Sequence, residues 1–350
     1  MIKVLIVDDS ALVRKLLKKE LDDQRDIRVV GTAMNPYAAR KKIAELNPDV
    51  LTLDLEMPRM DGLSFLSKVM EHHPMPVVVV SSLAPKNSDN ALTALRLGAI
   101  EVICKPGSAY STQEISREII KAVRTAAVAN VDKGYHLGIE KTSDSSRISA
   151  SQARLKETTK KLIAVGSSTG GTKALEVVLP ALPSNIPGMV IVQHMPPVFT
   201  KSFADRLDTV CRVNVKEAEN GDWIQPGRVL IAPGNHHMMV QKKGARYYTR
   251  VKQGPPVHHH RPSVDVLFNS VAKAAGVNAT GVILTGMGSD GAKGLLTMKE
   301  RGAHTIGQNK DTCVVYGMPK VAHEIGAADE MLPLSKIADA IVARAKEKAV

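Results

Sequence analysis

The sequence predicts an α/β protein made of two parallel-sheet domains joined by a linker. Three observations carry this. Residues 4–104 alternate short apolar runs with helical patterns five times, which implies a parallel sheet with right-handed crossovers. Beyond a polar stretch, strand and helix patterns resume at LIAVGSSTGG, residues 162–171. Aromatic residues are only 3% of the chain, so its cores must be Val, Ile, Leu and Ala, which suits strands buried on both faces. A length of 350 residues fits two domains.

In the first domain, residues 1–128, the strands fall at 4–7, 28–31, 50–53, 76–80 and 101–104. Asn35-Pro36 supplies an N-cap and a first-turn proline for the second helix. Asp8 and Asp9 follow the first strand and Asp54 the third, at the C-terminal strand ends outside which open α/β sheets bind ligands. Carboxylates gathered there suit Mg²⁺, a hard cation that takes oxygen ligands. Ser81 follows the fourth strand and Lys105 the fifth.

Residues 129–160 lose periodicity and are rich in Ser, Thr and Lys, the composition of a flexible basic linker.

The second domain, residues 161–350, opens on a strand at 162–165. It passes through Gly166-Ser167-Ser168-Thr169-Gly170 into a helix with an apolar stripe at Ala174, Leu175, Val178 and Leu179. The pentapeptide fits G-x-S-x-G, which exposes its central serine at a sharp strand-to-helix turn. The helix N-terminus beside it offers unpaired N–H groups to an oxyanion. A glycine loop cradling a phosphate is the rival reading, but G-x-G-x-x-G and G-K-[ST] are absent. The strand at 189–193 ends at His194. Strands at 228–232, 238–242 and 245–252 follow, the last two forming a hairpin around Lys243-Gly244. Ser263 caps a helix whose apolar face is Val264, Leu267, Phe268, Val271, Ala272 and Ala275. The strand at 279–284 opens into a second glycine turn carrying Asp290, and a last helix begins near Ser335. Three turns at one sheet edge thus offer a serine, a histidine and an aspartate: a nucleophile, its base and the group that orients the base. Taken singly, His194 could equally be a core histidine and Asp290 a helix N-cap.

No H-E-x-x-H or C-x-x-C spacing appears. His236-His237 and His258-His259-His260 read as cleft-lining or solvated histidines, because successive strand residues point to opposite faces. Cys104, Cys211 and Cys313 are sparse and set among apolar neighbours, which fits a reducing cytoplasm. No apolar run approaches the ~20 residues of a membrane span, and no signal peptide is recognisable. The net charge of +12 admits nucleic acid, but interleaved aromatics are lacking and an anionic protein surface explains it as well.

The motifs VLIVDDS, DLEMPRMDG and CKP resemble the phosphoacceptor receiver domain of two-component signalling, a flavodoxin-like parallel five-stranded sheet. The resemblance implies phosphorylation of Asp54. It implies Mg²⁺ on Asp9, Asp54 and the carbonyl of Glu56 with help from Asp8, and phosphoryl contacts from Ser81 and Lys105. Val102 stands where receivers often carry a switching aromatic. The motifs VGSSTGGT, QHMPP, IAPGNHHM, HRPSVDVLF, LTGMGSDGAKG and CVVYGMP are similar to the catalytic domain of the CheB-type chemotaxis methylesterases. That domain is a Rossmann-like doubly wound α/β fold, here with a β-hairpin insertion. This implies Ser168 as nucleophile, His194 as general base and acid, Asp290 as orienter, and the N–H groups of Thr169 and Met287 for the oxyanion.

The implied function is a phosphorylation-regulated protein-glutamate methylesterase that also deamidates glutamine, its receiver inhibiting it until phosphorylated. Substrates would be methyl-accepting chemoreceptors and the phosphodonor a chemotaxis histidine kinase. The esterase would need no cofactor, nucleic acid or membrane insertion, and would work in the cytoplasm. The alternatives are a DNA-binding response regulator and a nucleotide-binding Rossmann-like module.

Overall fold

A computed structural model describes residues 1–57, 61–81, 85–105, 112–131, 160–347 and 349. The chain divides into two compact units, Met1–His136 and Leu137–Val350. Of the expected linker, residues 132–159 lie outside the described residues, as do 58–60 of DLEMPRMDG and Pro106 of CKP.

In the first unit, β1 (Ile2–Val7), β2 (Ile27–Ala33), β3 (Val50–Asp54), β4 (Val77–Ser81) and β5 (Glu101–Cys104) form one sheet. Its order is β2-β1-β3-β4-β5 and every pair is parallel. The helices are α1 (Ala11–Asp22), α2 (Pro36–Leu46), α3 (Gly62–His72), α4 (Pro85–Leu97) and α5 (Thr112–Ala127). Strands β3 and β4 are buried along their whole length, as expected of mainly apolar strands covered on both faces. The Asn35-Pro36 signal is realised: Asn35 Oδ1 accepts from Ala38 N at 2.9 Å, with Pro36 opening α2. Strand order reverses between β1 and β3, so a crevice opens where Asp8 and Asp54 lie.

The second unit holds β6 (Leu162–Ser167), β7 (Gly188–Gln193), β8 (Asn214–Glu217), β10 (Arg228–Ile231), β13 (Ala279–Ile283), β14 (His304–Gln308) and β15 (Glu330–Leu332) in one parallel sheet. Its order is β15-β14-β13-β6-β7-β10-β8. Around it are α6 (Gly171–Val178), α7 (Phe199–Val210), α8 (Val264–Ala275), α9 (Ala292–Glu300), α10 (Met318–Glu324) and α11 (Leu334–Lys346). The expected hairpin is β11 (His237–Lys243) with β12 (Arg246–Lys252), extended by β9 (Trp223–Ile224) into a three-stranded antiparallel sheet. Its alternation puts Met238, Val240, Tyr247 and Thr249 into the core.

The expected strands fall in place within two residues at each end. Strands β8, β9, β14 and β15 and helices α7 and α10 have no counterpart in the sequence reading. β8 and β15 are edge strands, only partly buried, and so carry no apolar run. What matters for the site is the order β13-β6-β7. The chain runs outward from β6 to β7 on one side and returns to β13 on the other, so three carboxyl ends lie side by side at a topological switch point.

Candidate active site and phosphoacceptor pocket

The loops after β6, β7 and β13 carry Ser168, His194 and Asp290 respectively. Behind Ser168 the chain turns at once into α6. Gly170, at φ +80°, makes that turn in the left-handed region, where a Cβ would also lie 2.6 Å from Val314 Cβ. Ser168 N donates to Thr285 O at 3.0 Å, tying the serine to the neighbouring loop. Gly286 follows Thr285, and a Cβ there would sit 2.7 Å from Ser168 Cβ and 2.4 Å from Met318 Sδ. The two glycine turns therefore touch at the serine. Thr285 Oγ1 donates to Thr169 O at 3.0 Å and accepts from Val315 N at 3.0 Å, which pins the turn from its far side. Among the described residues the amides of Thr169 and Met287 donate to nothing.

His194 and Asp290 meet directly, with Nε2 2.8 Å from Asp290 Oδ2. The pair is buried, the side chains 6% and 2% exposed. Asp290 does cap a helix, but not its own: its carboxylate sits on the N-terminus of α8. Oδ2 also accepts from Val264 N at 2.8 Å, and Oδ1 from Asp265 N at 3.1 Å and Ser263 Oγ at 2.8 Å. Burial alone would raise the Asp290 pKa. The hydrogen bond and charge of His194, joined by the amides of Val264 and Asp265, outweigh it and hold the carboxyl well below the usual carboxylate range. An ionised Asp290 accepts a hydrogen bond from Nε2–H, which keeps the proton on Nε2 and leaves Nδ1 as the basic nitrogen. His194 Nδ1 is buried with no hydrogen-bond partner. Ser168 Oγ, on a residue 9% exposed, likewise makes no hydrogen bond among the described residues. The nucleophile candidate and the base candidate are thus not hydrogen-bonded to each other, a looseness expected before substrate enters.

Gln193 holds the two loops in step. Its Nε2 donates to Ser168 O at 2.9 Å and to His194 O at 3.0 Å, while Ser167 Oγ donates to its Oε1 at 2.7 Å. His194 N adds a bond to Ser167 O at 3.1 Å. Gln193 and Thr285 have no role in the sequence reading, and Ser263 only that of a helix cap, which the structure bears out through Val266 N. A buried glutamine ending the apolar strand MVIVQ was the one available signal.

The histidine runs separate in space. His237 is neither cleft-lining nor solvated: it is buried, its Nε2 meets Pro255 O at 2.9 Å and its Nδ1 accepts from Ser263 N at 3.2 Å. His260 stacks on His194 with ring centroids 3.8 Å apart and planes within 6°. His258 Nε2 lies 3.1 Å from Asp265 Oδ2. His258, Asp265 and Asp290 bring potential ligand atoms within 4.8 Å of one another, but both Asp290 oxygens already accept from N–H and O–H donors.

In the first unit, Asp8, Asp9 and Asp54 bring carboxylate oxygens within 4.8 Å. Lys105 Nζ lies 2.6 Å from Asp54 Oδ2 and 3.3 Å from Asp8 Oδ2. Asp54 Oδ1 accepts from Glu56 N at 3.0 Å. Burial raises the Asp54 pKa, and the Lys105 and Glu56 bonds only partly offset it. Ser81 Oγ is buried without a hydrogen-bond partner, and Asp8 Oδ2, also buried, has only its ion pair with Lys105. An orphaned hydroxyl and under-satisfied carboxylates crowded together fit a site that a divalent cation and an anionic group would complete.

The family model for CheB methylesterase matches residues 163–341, and that for the response regulator receiver domain matches residues 4–117. A protein-glutamate methylesterase/protein-glutamine glutaminase of Syntrophus aciditrophicus is 54% identical over 341 residues, covering 97% of this chain and 98% of that one. One from Bdellovibrio bacteriovorus is 52% identical over 339 residues, covering 96% and 95%. The crystal structure of the Thermotoga maritima CheB methylesterase catalytic domain matches with a TM-score of 0.51 and 42% identity, covering 52% of this chain and 97% of that one.

Proposed function

Because this chain belongs to the CheB methylesterase family, with a receiver domain ahead of the enzyme, we propose that it hydrolyses glutamyl methyl esters through Ser168. The chain is a protein-glutamate methylesterase/protein-glutamine glutaminase of the response-regulator type. The observation that carries the residue roles is the buried His194–Asp290 pair, whose remaining nitrogen has no hydrogen-bond partner, on a loop tied to the Ser168 turn through Gln193.

Ser168 Oγ attacks the ester carbonyl as His194 Nδ1 takes its proton, and the N–H groups of Thr169 and Met287 receive the oxyanion. Asp290, remaining ionised, stabilises the charge of the imidazolium. The tetrahedral intermediate expels methanol, which leaves with the proton from His194. Water then attacks the acyl-serine by the same route in reverse and releases glutamate. A glutamine amide follows the same path with ammonia as leaving group. The DNA-binding and nucleotide-binding alternatives gain no support from the family matches.

The receiver takes its phosphoryl group on Asp54. Mg²⁺, held by Asp9, Asp54 and the Glu56 carbonyl with help from Asp8, would neutralise charge on the incoming group, while Ser81 and Lys105 bind its oxygens. The phosphodonor is a chemotaxis histidine kinase and the substrates are cytoplasmic segments of chemoreceptors. Among the described residues, no helix is long and apolar enough to cross a membrane. The unphosphorylated receiver restrains the esterase, and each tenfold of activation needs only about 1.4 kcal/mol of difference between the restrained and free states.

Radiolabel from a small acyl phosphate and Mg²⁺ should appear on the full chain, vanish with EDTA and vanish in Asp54→Asn, together with the rate gained on adding the phosphodonor. A chain starting at about residue 155 should outpace the unphosphorylated full chain. Label persisting in Asp54→Asn, or a truncated enzyme no faster than the full chain, would contradict this regulation.

A further inference from the structure

The stretch VHHHRPS, residues 257–263, is a conspicuous motif to which the triad assigns no work. Its backbone makes a tight two-residue turn: Val257 N donates to His260 O at 3.0 Å, and His260 N donates to Val257 O at 2.9 Å. His258 and His259 between them stand at φ 50° and 63°. Two consecutive left-handed residues are what such a hairpin turn demands, and asparagine or glycine fills them most readily. Histidine enters this region more often than most residues but less readily than glycine, so two in a row need neighbouring contacts to hold the turn, and backbone held this way gathers at functional sites.

Those contacts are present. His258 Nε2 lies 3.1 Å from Asp265 Oδ2. Arg261 donates to Gly254 O at 2.6 Å and, through Nε at 2.8 Å, to Asn235 Oδ1, while Asn235 N donates back to Arg261 O at 3.0 Å. The turn therefore grips both ends of the base–orienter pair. Ser263 Oγ bonds Asp290, and the His260 ring lies flat on His194, 3.8 Å away and within 6° of parallel.

We propose that His260 is a positioning residue for the general base. His194 is tethered through Nε2 to Asp290, and that single bond leaves its ring free to rock about the Nε2–Oδ2 axis. A flat ring on one face removes that freedom and fixes the direction of Nδ1. The stacked π-face also shields the base from water and attracts the imidazolium that forms as Ser168 attacks. The inference rests on the Ser168–His194–Asp290 reading.

The test compares the full chain with His260→Ala and His260→Phe on a methyl-esterified receptor fragment. Misdirecting a catalytic group by about an ångström costs up to ~10²-fold. His260→Ala should lower kcat by about 10- to 100-fold with KM changed less than about twofold, and slow Ser168 acylation by a small fluorophosphonate in parallel. His260→Phe keeps a flat ring and should recover most of kcat and of the acylation rate. Unchanged kcat in His260→Ala would overturn the proposal, as would a rise in KM alone. Equal losses in the Ala and Phe variants would assign the effect to hydrogen bonding rather than stacking and overturn it too. If His260→Ala does not fold, His260→Phe still decides, because a flat ring that fails to support kcat contradicts stacking. Ser168→Ala separates the two readings: if it retains turnover, the triad fails whatever His260 does.

Discussion

Ser168→Ala and His194→Ala should each lower ester turnover by about 10³- to 10⁶-fold, and the double variant should lose scarcely more than either alone. In the proposed mechanism both residues serve one bond-making event, so removing either would disable the other. Neither is expected to unfold the protein. Among the described residues Ser168 Oγ and His194 Nδ1 make no hydrogen bond, so the serine change strands no partner, while His194→Ala takes one donor from Asp290 and leaves it three; the N–H groups of Thr169 and Met287 remain to polarise a bound carbonyl. Substrate binding should persist, and the residual rate should reflect the oxyanion donors and orientation alone. Near-normal turnover in Ser168→Ala, measured as methanol release, would refute the nucleophile.

Asp290 should give the second large effect, and here stability and catalysis fall together. Its carboxylate receives two amides of α8, the Ser263 hydroxyl and His194. Asp290→Ala strands all four donors in a buried place and should cost about 3–5 kcal/mol, read as a lower denaturation midpoint. Asp290→Asn keeps the volume and most of the helix contacts, so it should fold better. It can offer Nε2 an N–H instead of an acceptor, which favours the proton on Nδ1 and silences the base, so kcat should still fall by about 10⁴-fold. The sign of the pH effect follows from the depressed carboxyl. The unfolded group titrates near ~4 and the folded one lower, so the Asp290 contribution is complete above pH ~4 and is lost as pH falls below it. Unfolding midpoints of the parent and Asp290→Asn should therefore converge in acid. Midpoints separated equally at pH 7 and in strong acid would contradict the ionised carboxylate.

Much of this arrangement was legible in the sequence because parallel strands buried on both faces announce themselves. LIAV and MVIV are unbroken apolar runs, ATGVIL is interrupted only by Thr280 and Gly281, and each leads into a loop with a polar residue that stands out. Ser168, His194 and Asp290 could be named for that reason. That they converge could not be read from spacing, since it depends on β13 pairing with β6 across more than a hundred residues. The supporting residues were harder still. Gln193, Ser263 and Thr285 act by bonding groups that are distant along the chain or outside their own strand, and no periodicity records such a choice. The histidines show the limit plainly. His237 and His260 both look like spare polar residues, yet one is a buried strut and the other lies on the base, because only the tight turn at His258-His259 decides where the second ring goes.

The central claim is that one acyl-serine serves both the ester and the amide reaction. Partitioning with hydroxylamine tests it most directly. Wild-type protein would be given a glutamyl methyl ester substrate and, separately, its glutamine counterpart, each with the same concentration of hydroxylamine, with Ser168→Ala subtracted as the uncatalysed background. In the proposed mechanism both substrates pass through the same glutamyl-Ser168, so water and hydroxylamine would compete for one intermediate. The account predicts the same ratio of glutamyl hydroxamate to glutamate from the ester and from the amide, although their overall rates differ. Different ratios from the two substrates, or hydroxamate formed equally well by Ser168→Ala, would contradict it.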